Sequence, residues 1–138
     1  LCGNHNYKKE TFDLLNRLRK IKEDRKKVTA ILGGGSWIKG VPQTISLLKH
    51  KKINFEQIPN MEYSKFLEKL STYTTFAFKP LDYDTCPRVA IEAALLECEL
   101  DLNDNVLIKD DDWFKQTPKE IESFLKEKTN SFWKNIEV

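Results

Sequence analysis

From Lys9 to Lys26, apolar residues recur at Phe12, Leu15, Leu18 and Ile21 against a charged opposite face. That is the spacing of an amphipathic helix. The pattern then changes. VTAIL, residues 28–32, is a short apolar run with β-branched residues and is closed by GGGS, which predicts a strand running into a loop. Val41 to Lys51 returns to helical spacing, with Ile45 and Leu48 inward and Pro42 in the first turn, where proline is tolerated. INFEQI is a strand candidate ended by Pro59 and Asn60. Glu62 to Tyr73 predicts a helix with Phe66, Leu67 and Leu70 on one side, and TTFAF predicts the next strand. Arg88 to Glu97 is helical, and ELDLN alternates as an edge strand does. NDNV reads as a turn. Thr117 as N-cap, Pro118 in the first position and Glu120 three residues after the cap open a last helix that runs to about Lys128. The first residues, LCGN, fit a strand end and a turn. NSFWKNIEV at the other end fits a helix or a segment packed back through Phe132 and Trp133.

Helix and strand therefore alternate without a break. Short loops between them mean right-handed crossovers, so the fold class is α/β, with a mainly parallel sheet between helices. The chain of 138 residues fits one domain, and 40% hydrophobic residues can build a core. With 23 basic and 21 acidic residues, the charge balance does not point to nucleic acid. The lysine-dense stretches RLRKIKEDRKK and KHKK read as solvated helix faces. Cys2, Cys86 and Cys98 form no CxxC, and His5 and His50 are far apart, so no zinc pattern emerges. No apolar run is long enough for a membrane span, and no signal peptide is visible. A reducing cytoplasm is the expected location.

In parallel α/β sheets, ligands bind beyond the carboxyl ends of the strands. Two loops occupy such positions, GGGSWIKG after VTAIL and LDYDTCPR after TTFAF. GGGSWIKG is no P-loop, because Val41 and Pro42 stand where Lys and Ser/Thr are needed. Nor is it a dinucleotide fingerprint, since the third glycine would fall at Ile38. It keeps small residues, Gly34 and Gly35, that allow close backbone approach. Lys39 lies at the mouth of a helix whose N-terminal amides favour an anion. A plain strand-to-helix turn with an exposed lysine is the other reading.

In DTCPRVAIE, Asp84 and Glu92 stand eight apart, around Pro87 and Arg88. Pro87 suits the first turn of the following helix, with Thr85 or Cys86 as its cap. Asp84 lies just outside that N-terminus, where negative charge is stabilised. Glu92 falls among Ile91, Ala93 and Ala94, and an ionised carboxylate there is costly unless paired. Two readings stay open: an i,i+4 partnership with Arg88, or an acceptor for ligand hydroxyls.

Asp84, Pro87, Arg88, Glu92 and Ala93, after a strand ending in Pro80, resemble the E-x7-E signature of nucleotide-sugar glycosyltransferases with the GT-B fold. Family 4 and related retaining enzymes are the nearest in pattern. WIKG resembles that family's K-G at a helix start, and LLECELDLNDNV resembles the stretch leaving the motif helix. The likeness runs from about Val28 to Val106. It implies a Rossmann-like three-layer α/β/α domain, the donor-binding C-terminal half of a GT-B enzyme, with the N-terminal acceptor domain absent. It further implies a UDP-, GDP- or ADP-sugar as donor substrate and no metal. By the same resemblance Lys39 neutralises the diphosphate, and Asp84 contacts the transferred sugar as the catalytic acidic residue. The backbone from Thr85 through Cys86 and Pro87 to Arg88 holds sugar or phosphates, and Glu92 binds the ribose. The chain departs from the family with Asp for the first Glu of the signature. Glu97 stands where the family usually has Gly. No Arg precedes K-G, and one strand–helix unit is missing between the two motifs.

Overall fold

The computed structural model of the protein describes residues 8–21, 24–33, 37–84 and 87–136, with side chains omitted at 37 and 128–136. The elements follow the expected order: α1 (Lys9–Arg19), β1 (Lys26–Leu32), α2 (Val41–His50), β2 (Phe55–Ile58), α3 (Tyr63–Leu70), β3 (Tyr73–Phe78), α4 (Arg88–Leu95), β4 (Glu99–Leu102) and α5 (Pro118–Ile136). The expected strand end at LCGN lies outside the described residues.

The four strands form one all-parallel sheet in the order β2-β1-β3-β4. Side chains alternate across a strand, and the core divides accordingly. Ala30, Phe76 and Phe78 join the larger apolar cluster with residues of α1, α3, α4 and α5. Ile31 and Ala77 face the other way, against Val41 and Leu48 of α2. Helices thus cover both faces, giving a Rossmann-like three-layer α/β/α arrangement. The chain leaves β1 by α2 toward one edge and leaves β3 by α4 toward the other. The gap between the carboxyl ends of β1 and β3 is therefore the topological switch point, where such sheets open a crevice.

Several element boundaries differ from expectation, and α5 runs on to Ile136, past Lys128. α1 stops at Arg19 rather than Lys26, and Ile21 is exposed. The residues beyond it are drawn into the sheet: Lys26 N–H donates to Thr72 O at 2.7 Å, and Arg25 Nη2 donates to Leu96 O at 2.6 Å. α3 ends at Leu70, and Tyr73, fully buried, starts β3 instead. Pro87 is the N-cap of α4 rather than a first-turn residue, because its extended backbone (φ −70°, ψ 114°) lies outside the helical region. Two 3-10 segments, Leu107–Asp110 and Asp112–Lys115, had no signature in the sequence. They bury Ile108 and Phe114, and Trp113 stacks on Phe124 with ring centroids 4.7 Å apart. α5 begins as expected: Glu120 N–H donates to Thr117 Oγ1 at 3.3 Å, and the Thr117 hydroxyl bonds Glu120 Oε1 at 3.0 Å. No helix among the described residues is long and apolar enough to cross a membrane.

Candidate functional site

The crevice is built by loops that clasp one another. After β1, Gly33 N–H donates to Ile58 O at 2.8 Å, and a Cβ there would approach that oxygen to 2.8 Å. Only glycine lets the two chains come so close. A 3-10 turn, Trp37–Lys39, then leads to Gly40, the N-cap of α2. Gly40 has φ 67°, and a Cβ on it would come within 2.3 Å of Lys79 O. The glycine of WIKG is thus required twice over, by its left-handed backbone and by the strand end pressed against it. One residue pair seals the contact: Leu81 N–H donates to Ile38 O at 2.7 Å.

The loop after β3 is fixed from its other side by the chain leaving β4. Asn103 and Asn105 both donate side-chain N–H to Pro80 O, at 2.9 and 2.8 Å. Asp84 N–H donates to Asn105 O at 2.8 Å, and Leu107 N–H donates to Asp84 O at 3.0 Å, a short parallel bridge. These bonds hold the backbone of Asp84 in register just before α4. The N-cap residue of α4, Pro87, makes no side-chain capping hydrogen bond.

Lys39, Asp84, Arg88 and Glu92 line one cavity of about 590 Å³. Leu32 and Phe78, the last residues of β1 and β3, line it too, as do Tyr63 and Phe66 of α3. The cavity therefore lies at the switch point, with apolar and aromatic walls and a few converging polar groups, as ligand sites commonly do. Pro87 also lines it, whereas Gly34, Gly35, Thr85 and Cys86 lie outside the described residues.

Glu92 is only 3% exposed, on a helix whose Ala90, Ile91, Ala93 and Leu95 are buried. Its Oε2 accepts a hydrogen bond from the Tyr63 hydroxyl. Burial pushes the Glu92 carboxyl up to about 7, while the Tyr63 hydrogen bond and the Arg88 charge pull it back. Burial first, and then the hydrogen bond to Glu92, hold the Tyr63 hydroxyl well above its ordinary range. The Arg88 guanidinium lies 5.2 Å from the centroid of the Tyr63 ring, a cation–π distance. Arg88 thus acts on Glu92 electrostatically, as one of the two readings has it, and the direct hydrogen bond comes from Tyr63.

Tyr63 and Phe66 are the site residues that sequence reading missed. Tyr63 lies 29 residues before Glu92, and no local pattern links them. One signal was available: a carboxylate in an apolar helix needs a donor, and aromatic hydroxyls are few. Phe66 was expected on the inward side of α3, and it is partly buried against the core while lining the cavity.

Chemically, the arrangement offers cations for an anionic group and two carboxylates that accept from hydroxyls. Among the described residues, no group of three or more His, Cys, Asp or Glu side chains is placed to hold a metal ion. Comparison with protein-family models, with curated proteins and with solved structures gives no match for this chain.

Proposed function

We propose that the chain is the donor-binding domain of a GT-B glycosyltransferase, holding a nucleotide-diphosphate sugar whose sugar passes to an acceptor on a second domain. The observation that carries this reading is the meeting of Lys39, Asp84, Arg88 and Glu92 around one switch-point cavity. In the proposal, Lys39 and Arg88 flank the diphosphate near the N-terminus of α4, where the helix dipole favours negative charge. As the bond to the sugar breaks, the leaving diphosphate gains charge. Fixed cations and backbone amides then stabilise the transition state more than the ground state. Asp84 accepts from hydroxyls of the transferred sugar. Glu92 accepts from the ribose, which offers two adjacent donors to one carboxylate.

A second reading, a Rossmann-like binding or scaffold module without catalysis, draws support from a specific contact. The Tyr63 hydroxyl already occupies Glu92, as it would in a site that keeps its shape after losing its ligand. Thermal unfolding with UDP, GDP, ADP and their sugars separates the two. A ligand at about a hundredfold excess over its Kd adds about 2.7 kcal/mol, which is a rise of several degrees in a domain of this size. The donor-domain reading expects such a rise with one nucleotide, lost in Glu92→Ala. A flat response to all of them at millimolar concentration favours the scaffold. A rise that persists in Glu92→Ala removes Glu92 as the ribose partner.

A further inference from the structure

The contact between Tyr63 and Glu92 has a consequence for any ligand that enters. A buried carboxylate keeps a hydrogen-bond donor at nearly all times, because leaving it bare is costly. In this structure the donor is a side chain of α3, and its hydroxyl holds Glu92 Oε2. We infer that Tyr63 is an internal competitor for Glu92 Oε2, so that a ligand whose adjacent hydroxyls take both oxygens of the carboxylate must displace the Tyr63 hydroxyl. This rests on the reading of the cavity as a nucleotide-sugar site.

Three features support it. Tyr63 is the first residue of α3 and is 37% exposed, so its ring has an open side toward which to turn. The ring lies against Arg88, so the movement that uncovers Glu92 also takes the ring away from a cation proposed to meet phosphate. Finally, exchange of one donor for another on a carboxylate is close to neutral in free energy. A ligand gains at Glu92 only if it brings more than the single bond it removes, and two adjacent hydroxyls do so. Tyr63 thereby lowers the affinity for a ligand that must take both oxygens of Glu92, while the empty site stays satisfied.

The charged and titratable groups that line the cavity with Glu92 are Arg88 on its own helix, Tyr63 on α3, Lys39 after β1 and Asp84 after β3. The Tyr63 hydrogen bond lowers the Glu92 carboxyl from where burial alone would hold it. Tyr63→Phe should therefore raise the Glu92 midpoint, and binding is compared at alkaline pH, above the folded Glu92 value of about 7.

The test is calorimetric titration of the chain and of Tyr63→Phe with UDP, GDP and ADP at about pH 8.5, together with a carboxyl carbon NMR titration of Glu92 in both. The variant should bind the favoured nucleotide about tenfold more tightly, the scale of one hydrogen bond to a charged group, and its Glu92 midpoint should rise. Damage to the fold would lower affinity, so a gain is specific to the competitor. Equal affinity overturns the competitor and leaves the nucleotide reading intact. Weaker binding by the variant also overturns it, since Tyr63 would then be a ligand contact. An unmoved Glu92 midpoint shows that the hydroxyl does not hold the carboxylate, and overturns it without any ligand. Failure of both proteins to bind any of the three removes the nucleotide reading, and the competitor with it.

Discussion

Glu92 is out of place by composition, a carboxylate buried among apolar helix residues. Its carboxyl titrates near 7 instead of its ordinary 4.5, chiefly through burial. An acid whose folded value is raised holds its proton more tightly in the folded chain than in the unfolded one. Stability therefore falls as pH climbs from about 4.5 to about 7, and the cost is constant above that. The shift corresponds to about 3 kcal/mol at most. Glu92→Gln removes the titration while keeping an acceptor for Tyr63. Denaturant unfolding at several pH values should show the variant gaining on the parent as pH rises through this window. A difference between the two that stays level from pH 4.5 to 8 would mean that Glu92 ionises as an ordinary carboxylate. The spacing of Asp84 and Glu92 was readable in the sequence because it is local, eight positions along one strand–turn–helix unit. Tyr63 was not, because it meets Glu92 only through packing of α3 beside α4.

At the scale of elements, two helices close through a left-handed residue that is not glycine. α4 closes with Cys98 N–H donating to Ala93 O and Glu97 N–H donating to Ala94 O, both at 3.0 Å. That paired closure needs a left-handed residue between helix and strand, and Glu97 has φ 59°. α2 closes in the same way, with Lys52 at φ 59°. Glycine adopts this conformation without strain, and other residues do so at a cost of about 1 kcal/mol. Lys52→Gly should raise stability by about 0.5–1 kcal/mol in denaturant unfolding. Glu97→Gly should gain less, because Arg19 Nε lies 3.7 Å from Glu97 Oε1 and a surface pair is worth up to about 1 kcal/mol. Loss of stability in Lys52→Gly would contradict the strain argument. The C-terminal carbonyls of α4 gain further partners from outside the helix: Arg19 Nη1 donates to Leu95 O at 3.2 Å, as Arg25 does to Leu96 O. These arginines belong to a charged run that looked like a solvated helix face. Periodicity identified the type and order of every α-helix and strand from α1 to α5, since each shows an apolar stripe or an apolar run, and it missed the 3-10 segments between β4 and α5. It overran the end of α1 because RLRKIKEDRKK is rich in helix formers, whereas pairing with β3 decides where β1 begins.

For the whole molecule, the sheet order β2-β1-β3-β4 brings the loops after β1 and β3 side by side. Residues 39, 84, 88 and 92 share a cavity because of that topology, and no single segment encodes it. The sequence reached the same rim by combining alternation of elements with the rule that ligands bind beyond strand ends. A second hollow, of about 410 Å³, is lined by Arg19 and Lys20 of the α1 end and by Lys119 of α5, on the outer helices. It supplies an internal comparison, because it also gathers three cations, beside the Glu122 carboxylate, but lies on helices away from the switch point.

The most direct test of the proposed site is an amide NMR titration of the chain with the nucleoside diphosphate that most stabilises it. The largest shifts are expected at Ile38 to Gly40, at Tyr63 and at Val89 to Glu92, with Arg19, Lys20 and Lys119 unmoved. Shifts gathered at Arg19, Lys20 and Lys119 instead, or no shifts at saturating nucleotide, would contradict a nucleotide site between β1 and β3.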